Sequence, residues 1–137
     1  MTARWVLDAP AVLAWLKNEQ GADEVDPLPG EAAISTVNWS EVLQKVIQWG
    51  RDASKAGALL EALGVEVIPL SAGEALFAAK LWLQAASLSL GDRCCLALSR
   101  RLEAPAVTAD QHRRLQLADA IGGCGDPAYT MTKTWLF

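Results

Sequence analysis

"RWVLDAPAVLAWLKN" (Arg4–Asn18) contains the change of rhythm on which the fold turns. Arg4 to Leu7 is a short, largely apolar run with Trp5 and the β-branched Val6, the composition of a buried strand, and Asp8 ends it. From Pro10 the period changes. Val12, Leu13 and Leu16 fall on one helical stripe, and proline suits a first turn, where its missing N–H breaks no intrahelical bond. A strand therefore delivers an acid to its carboxyl end, and a helix leaves from that point.

The same unit recurs along the chain. "AAIS" (Ala32–Ser35) reads as a strand, and Val37–Trp49 as an amphipathic helix with Trp39, Val42, Leu43, Val46 and Ile47 on one face and Gly50 as its stop. Ala53–Leu63 is a further helix, closed by Gly64, and "VEVIPL" (Val65–Leu70) is a strand ended by Pro69. Ala72–Ala86 and Asp92–Leu102 read as helices, Ala104–Thr108 as a strand running to Asp110, and Gln111–Leu117 as a short helix. "EQGADEVDPLPGE" (Glu19–Glu31) reads as a short helix and loop, and the tail, 118–137, as loop with a possible last strand over Tyr129–Phe137. Alternation of this kind predicts an α/β fold: a parallel β-sheet flanked by helices on both faces, with residues 1–137 forming one domain. Such sheets bind ligands at the carboxyl ends of their strands.

Composition narrows the function. The 137 residues are 52% hydrophobic and 20% charged, which suits one globular core and excludes a disordered chain. No apolar run approaches a membrane span and no signal-peptide pattern opens the chain, so the cytoplasm is the expected location and no membrane contact is expected. The net charge of −4 argues against bulk electrostatic binding of nucleic acid, although cations held by acidic residues can reverse the sign of a site. Cys94, Cys95 and Cys124 give neither a disulfide framework nor a zinc spacing, and read as small buried residues.

Four acids stand at or near element boundaries: Asp8, Glu41, Asp92 and Asp110. Each has a local explanation. Asp8, Asp92 and Asp110 suit helix N-caps, and Asn38 with Glu41 has capping-box spacing. If the strands are parallel, however, the acids can meet at one sheet edge. A set of carboxylates without His or Cys is a hard, oxygen-only site suited to Mg²⁺ or Mn²⁺. A divalent ion there lowers the pKa of a water and stabilises charge on a phosphoryl oxygen, so phosphodiester hydrolysis is the matching reaction class.

Four segments in order carry a resemblance. "WVLDAPAVLAWL" resembles the opening strand and helix of PIN-domain proteins, "ISTVNWSEVLQKV" their second element with its N-x-x-E acid, "LSLGDRCCLALSRRL" the segment with the third acid, and "APAVTAD" the segment with the fourth. The match runs from about Val6 to Leu115 and is closest to the VapC type, the toxin ribonucleases of toxin–antitoxin pairs. The resemblance implies a PIN-like α/β/α sandwich and a Mg²⁺- or Mn²⁺-dependent endoribonuclease acting on structured RNA, tRNA or rRNA. It implies Asp8 and Asp92 as primary metal ligands, with Asp110 bound directly or through water. Glu41 would complete the site or orient the attacking water, and Asn38 would orient Glu41. Thr108 would bond a carboxylate or a substrate phosphate. Arg93 is open between an RNA phosphate contact and an exposed salt bridge at the helix end, and Arg113 and Arg114 between phosphate contacts and a solvated helix face. The implied partners are a cognate antitoxin, able to place an arginine among the carboxylates, and a second copy of the chain in a homodimer.

Two departures stand out. Pro10 replaces the small hydroxyl residue usual two positions after the first acid, and the tail lacks the usual short closing strand rich in Val and Arg. They keep open a catalytically impaired PIN-like module that binds RNA or protein. A Cys/His hydrolase built from Cys94 or Cys95 with His112 has no evident orienting group. A phosphoacceptor signalling domain lacks an acidic pair at the first strand.

Overall fold

In a computed structural model, the structure describes residues 3, 5–17, 29–84 and 86–108. Asp110, the helix expected at Gln111–Leu117, His112, Arg113, Arg114, Cys124 and the tail lie outside the described residues.

Four strands form one parallel sheet: β1 (Trp5–Leu7), β2 (Ala32–Ser35), β3 (Glu66–Ile68) and β4 (Ala106–Val107), in the order β3-β2-β1-β4. Among the described residues five helices accompany them: α1 (Ala9–Leu16), α2 (Thr36–Gln48), α3 (Ala53–Ala62), α4 (Ala72–Leu81) and α5 (Leu90–Leu102). A 3₁₀ turn, Pro29–Glu31, leads into β2. This is the expected parallel α/β arrangement, and the strand periodicity explains its layers. Val6 pairs in register with Ala33 and with Ala106, and these three side chains share one face with Cys95 and Leu98 of α5. Leu7, Ala32, Ile34 and Val107 take the opposite face, against Val12 of α1, Val42 and Val46 of α2 and Leu60 of α3. Both faces are covered, so the strands carry continuous apolar runs rather than an alternation.

Three helices close in the same way. The N–H groups of Gly50 and Arg51 donate to the carbonyls of Ile47 and Val46, those of Gly64 and Val65 to Glu61 and Leu60, and those of Glu103 and Ala104 to Arg100 and Ser99. Each is a Schellman motif, which needs a left-handed residue just past the helix. Gly50 (φ 74°) and Gly64 (φ 104°) supply it without strain, as expected from the sequence. At the third the residue is Glu103, at φ 51°. Its Cβ crowds the following carbonyl, at a cost of about 1 kcal/mol. Glu103→Gly is therefore expected to raise the unfolding free energy by about 0.5 kcal/mol, the relieved strain being partly offset by a freer unfolded chain. Urea unfolding measures it; a loss of stability would show that the Glu103 side chain contributes more than its backbone costs.

The helices differ from the expected bounds where tertiary contacts override local pattern. α4 ends at Leu81, not Ala86, because the N–H groups of Trp82, Leu83 and Gln84 donate to carbonyls three residues back and tighten the chain out of the α-helix. Trp82 is 55% exposed there and Leu83 79%. Ile47, expected on the buried face of α2, is exposed, and Asn38 joins Val42 and Val46 in the interior instead. The last described strand is shorter than Ala104–Thr108, spanning Ala106–Val107.

Candidate active site

Parallel strands place Asp8, Ser35 and Thr108, each at or just past a strand end, along one edge of the sheet. Leu7 pairs with Val107, and the Asp8 N–H donates to the Val107 carbonyl at 3.1 Å, so Asp8 and Thr108 sit side by side at the ends of β1 and β4. Both are buried. Asp8 is also the N-cap of α1, its Oδ1 accepting from the Ala11 N–H at 2.9 Å. Pro10 lies in this first turn and brings no N–H, so Ala11 is the donor that most needs the carboxylate. Capping uses one carboxylate oxygen, Oδ1.

The second half of the site is the meeting of α2 with α5. Ser35, not Asn38, is the N-cap of α2, its hydroxyl accepting from the Val37 N–H, so Asn38 and Glu41 form no capping box. Asn38 lies one turn in and is fully buried. Its Nδ2 donates to Glu41 Oε1 at 2.9 Å and to the Gly91 carbonyl at 3.0 Å. Both partners are acceptors, which fixes the amide's orientation. Asn38 Oδ1 is left buried without a hydrogen-bond partner. An orphaned buried acceptor costs on the order of 1–3 kcal/mol, set against the two hydrogen bonds that the same amide donates.

Asp92 does not cap α5. The helix begins two residues earlier, with Ser89 as N-cap and Asp92 at the third helical position. The Asp92 N–H donates to Ser89 Oγ at 3.1 Å, and the Ser89 N–H donates to Asp92 Oδ2 at 3.0 Å. This reciprocal capping box fixes the carboxylate's orientation, and the Ser-x-x-Asp spacing that signals it is visible in "SLGD". Asp92 is 5% exposed. Beside it, Gly91 meets Glu41: an ideal Cβ on Gly91 would stand 2.5 Å from Glu41 Oε1, 2.9 Å from Cδ and 3.0 Å from Oε2. The sequence pattern, which starts this helix at Asp92, carries no sign of the contact, which joins residues fifty positions apart.

Arg93 points back to the neighbouring helix α4. It is half-buried, and its Nη1 donates to the Ala78 carbonyl of α4 at 2.8 Å while Nε lies buried without a partner. Along the same interface, Arg101 pairs with the buried Glu74. A cleft of about 300 Å³ lined by Ser71, Glu74, Phe77, Ala97, Arg100 and Arg101 contains none of the acids named from the sequence. Cys94 and Cys95 are buried free thiols. Burial pushes the Cys94 thiol up, outweighing the nearby Arg93 charge, and Glu74 and Glu41 push it the same way. A thiol pushed up in this way is a poor nucleophile, which speaks against Cys94 as the attacking group of a cysteine hydrolase.

Asp8, Glu41 and Asp92 offer only carboxylate oxygens, a chemistry that fits a hard divalent cation rather than zinc or copper. Among the described residues no three His, Cys, Asp or Glu side chains form a group able to hold an ion. Among them also, no helix is long and apolar enough to cross a membrane.

The family model for the PIN domain matches residues 5–118, and the chain belongs to that family. PIN domains are generally nucleases and generally depend on divalent metal. Several solved structures share the fold. A toxin–antitoxin complex from Klebsiella pneumoniae is 18% identical, with a TM-score of 0.65 over 90% of this chain and 92% of that one. VapBC2 from Rickettsia felis, bound to a DNA fragment from its promoter, is 16% identical, with a TM-score of 0.61 over 81% and 91%. PAE2754 from Pyrobaculum aerophilum is 19% identical, with a TM-score of 0.60 over 87% and 86%. No curated protein matches the sequence.

Proposed function

We propose that the chain is a VapC-type toxin: a Mg²⁺- or Mn²⁺-dependent endoribonuclease that cleaves structured RNA, tRNA or rRNA, within one domain spanning residues 1–137. The observation that carries this reading is the buried polar edge. Asp8, Asp92 and Asn38 are withdrawn from solvent at strand and helix ends, and Asn38 leaves an acceptor unsatisfied in order to hold Glu41. Caps account for one oxygen each of Asp8 and Asp92, while the Asn38–Glu41 contact serves no cap and supports a role beyond the fold.

In this reading Asp8 and Asp92 are the primary metal ligands, Asp110 binds directly or through water, and Glu41 completes the set or orients the attacking water. The cation would supply Lewis acidity and a water of lowered pKa. The chain's own residues do the positioning. The cap on Ala11 fixes Asp8, the Ser89 box fixes Asp92, and Asn38 fixes Glu41. Thr108, beside Asp8, is assigned a hydrogen bond to a carboxylate or to substrate phosphate. Arg93 holds the Ala78 carbonyl through Nη1, and its other N–H groups are the ones assigned to an RNA phosphate.

The proposed partners are an antitoxin and a second copy of the chain. Two of the fold's relatives are toxin–antitoxin complexes, and exposed Leu76, Trp82, Leu83 and Leu90 offer apolar surface to a protein partner. The cytoplasm is the proposed location.

The test is cleavage of total tRNA and rRNA by purified protein with Mg²⁺ or Mn²⁺, with EDTA, and with Asp92→Asn. Asparagine keeps an acceptor for the Ser89 N–H, so the fold is retained while the charge is lost. Cleavage is expected with metal only, falling by roughly a hundredfold or more in the variant, about 3 kcal/mol of transition-state stabilisation. RNA binding without cleavage, unchanged by Asp92→Asn, would instead establish the impaired binding module.

A further inference from the structure

We propose that Gly91 is a positioning residue of the site: its missing side chain leaves the space that the Glu41 carboxylate occupies over the first turn of α5, where Asn38 pins it. The inference rests on the metal-dependent reading above and adds a residue to it. Gly91 occupies the second position of α5, where its backbone shows no positive φ. Alanine has a higher helix propensity and would suit that position better, so the helix itself does not call for glycine. The requirement comes from across the interface. A Cβ there would lie 2.5 Å from Glu41 Oε1 and 2.9 Å from Cδ, well inside contact distance.

The obstructed atoms are the end of a flexible side chain, not backbone. Glu41 can therefore rotate away at little cost to the fold, and what is lost is its position. Asn38 makes that loss specific. Its one amide donates both to Glu41 Oε1 and to the Gly91 carbonyl, so carboxylate and helix start are held at one distance by a single rigid group. Gly91 and Asp92 are consecutive, and the capping box ties Asp92 to the same turn. The position of the Glu41 carboxylate against the first turn of α5 is thus set by a glycine hydrogen atom and one asparagine. The partial positive charge at the start of α5 favours a carboxylate in that place.

Gly91→Ala, Glu41→Asp and the double variant test this together. Gly91→Ala is expected to melt at or above the wild-type temperature. It should bind Mn²⁺, followed by electron paramagnetic resonance, on the order of tenfold to a hundredfold more weakly, with cleavage reduced in parallel. Glu41→Asp alone is expected to be impaired, because the shorter side chain falls short. In the double variant the shorter acid clears the added methyl, and Mn²⁺ affinity recovers relative to Gly91→Ala. The Asn38 side-chain amide supplies a metal-free readout. Its NMR resonances should move in Gly91→Ala and return towards wild type in the double variant.

Wild-type Mn²⁺ affinity in Gly91→Ala, an unmoved Asn38 resonance, or a double variant no better than the single would each overturn the proposal. So would a Gly91→Ala protein that melts well below wild type, since the glycine would then serve packing. A wild-type protein that binds no Mn²⁺ counts against the nuclease reading instead, and the Asn38 amide still decides whether Gly91 sets the position of Glu41.

Discussion

Asp8→Asn is expected to fold like wild type and to lose RNA cleavage by roughly a hundredfold or more, while Asp8→Ala loses both activity and stability. The contrast follows from the two roles of one side chain. Asparagine is as good an N-cap as aspartate, so its Oδ1 continues to accept from the Ala11 N–H. The charge–dipole attraction at the start of α1 is lost, about 0.5 kcal/mol. Alanine removes the acceptor, and the buried Ala11 N–H then has no cap, at a cost of about 1–2 kcal/mol. Circular-dichroism melts beside a tRNA cleavage assay separate the effects. If Asp8→Asn cleaves as fast as wild type, Asp8 is a cap and nothing more. If it melts as low as Asp8→Ala, the carboxylate's charge is needed for the fold.

The largest stability effect is expected at Leu98. This side chain of α5 is fully buried against Val6, Ala33, Cys95, Ala104 and Ala106. Its neighbours are nearly all small, so they cannot spread into a hole the way leucines or methionines can. The cost of Leu98→Ala should therefore fall in the upper part of the usual range, about 4 kcal/mol, or a drop in the melting temperature of roughly 10 °C or more. Leu59→Ala, at a side chain half exposed on α3, is the comparison and should cost less than about 1 kcal/mol. Guanidinium unfolding of both variants gives the numbers. Similar costs at the two positions would mean that the α5 face of the sheet repacks and that Leu98 is not its keystone.

Much of this architecture is legible in the chain because local and tertiary demands agree. "AAIS" is a strand from Ala32 to Ser35 as read, since both sheet faces want small or apolar residues there. Gly50 and Gly64 end their helices because only the left-handed region completes the closing bonds. Where the demands diverge, pattern fails. The residues after Leu81 are apolar and helix-favouring, and nothing in their composition marks the tightening that exposes Trp82 and Leu83. Ile47 fits the apolar stripe of α2, yet the buried side of that helix is turned towards Asn38 by its contact with α5. The acids at element ends were readable because strands and caps place them. Gly91 was not, because the reason for a missing side chain lies on another helix.

The strand order carries a consequence for how the protein comes into being. β1 is central, and its Val6 pairs on one side with Ala106, a hundred residues later. During synthesis the first strand emerges early and lacks its β4 neighbour until almost the whole described chain has left the ribosome. Asp8 takes its backbone bond from Val107, so its final placement waits for that moment. Pairings so distant along the chain also form slowly. The end of the sheet that carries Asp8 and Thr108 is therefore the last part of it to be assembled, after β4 has joined β1.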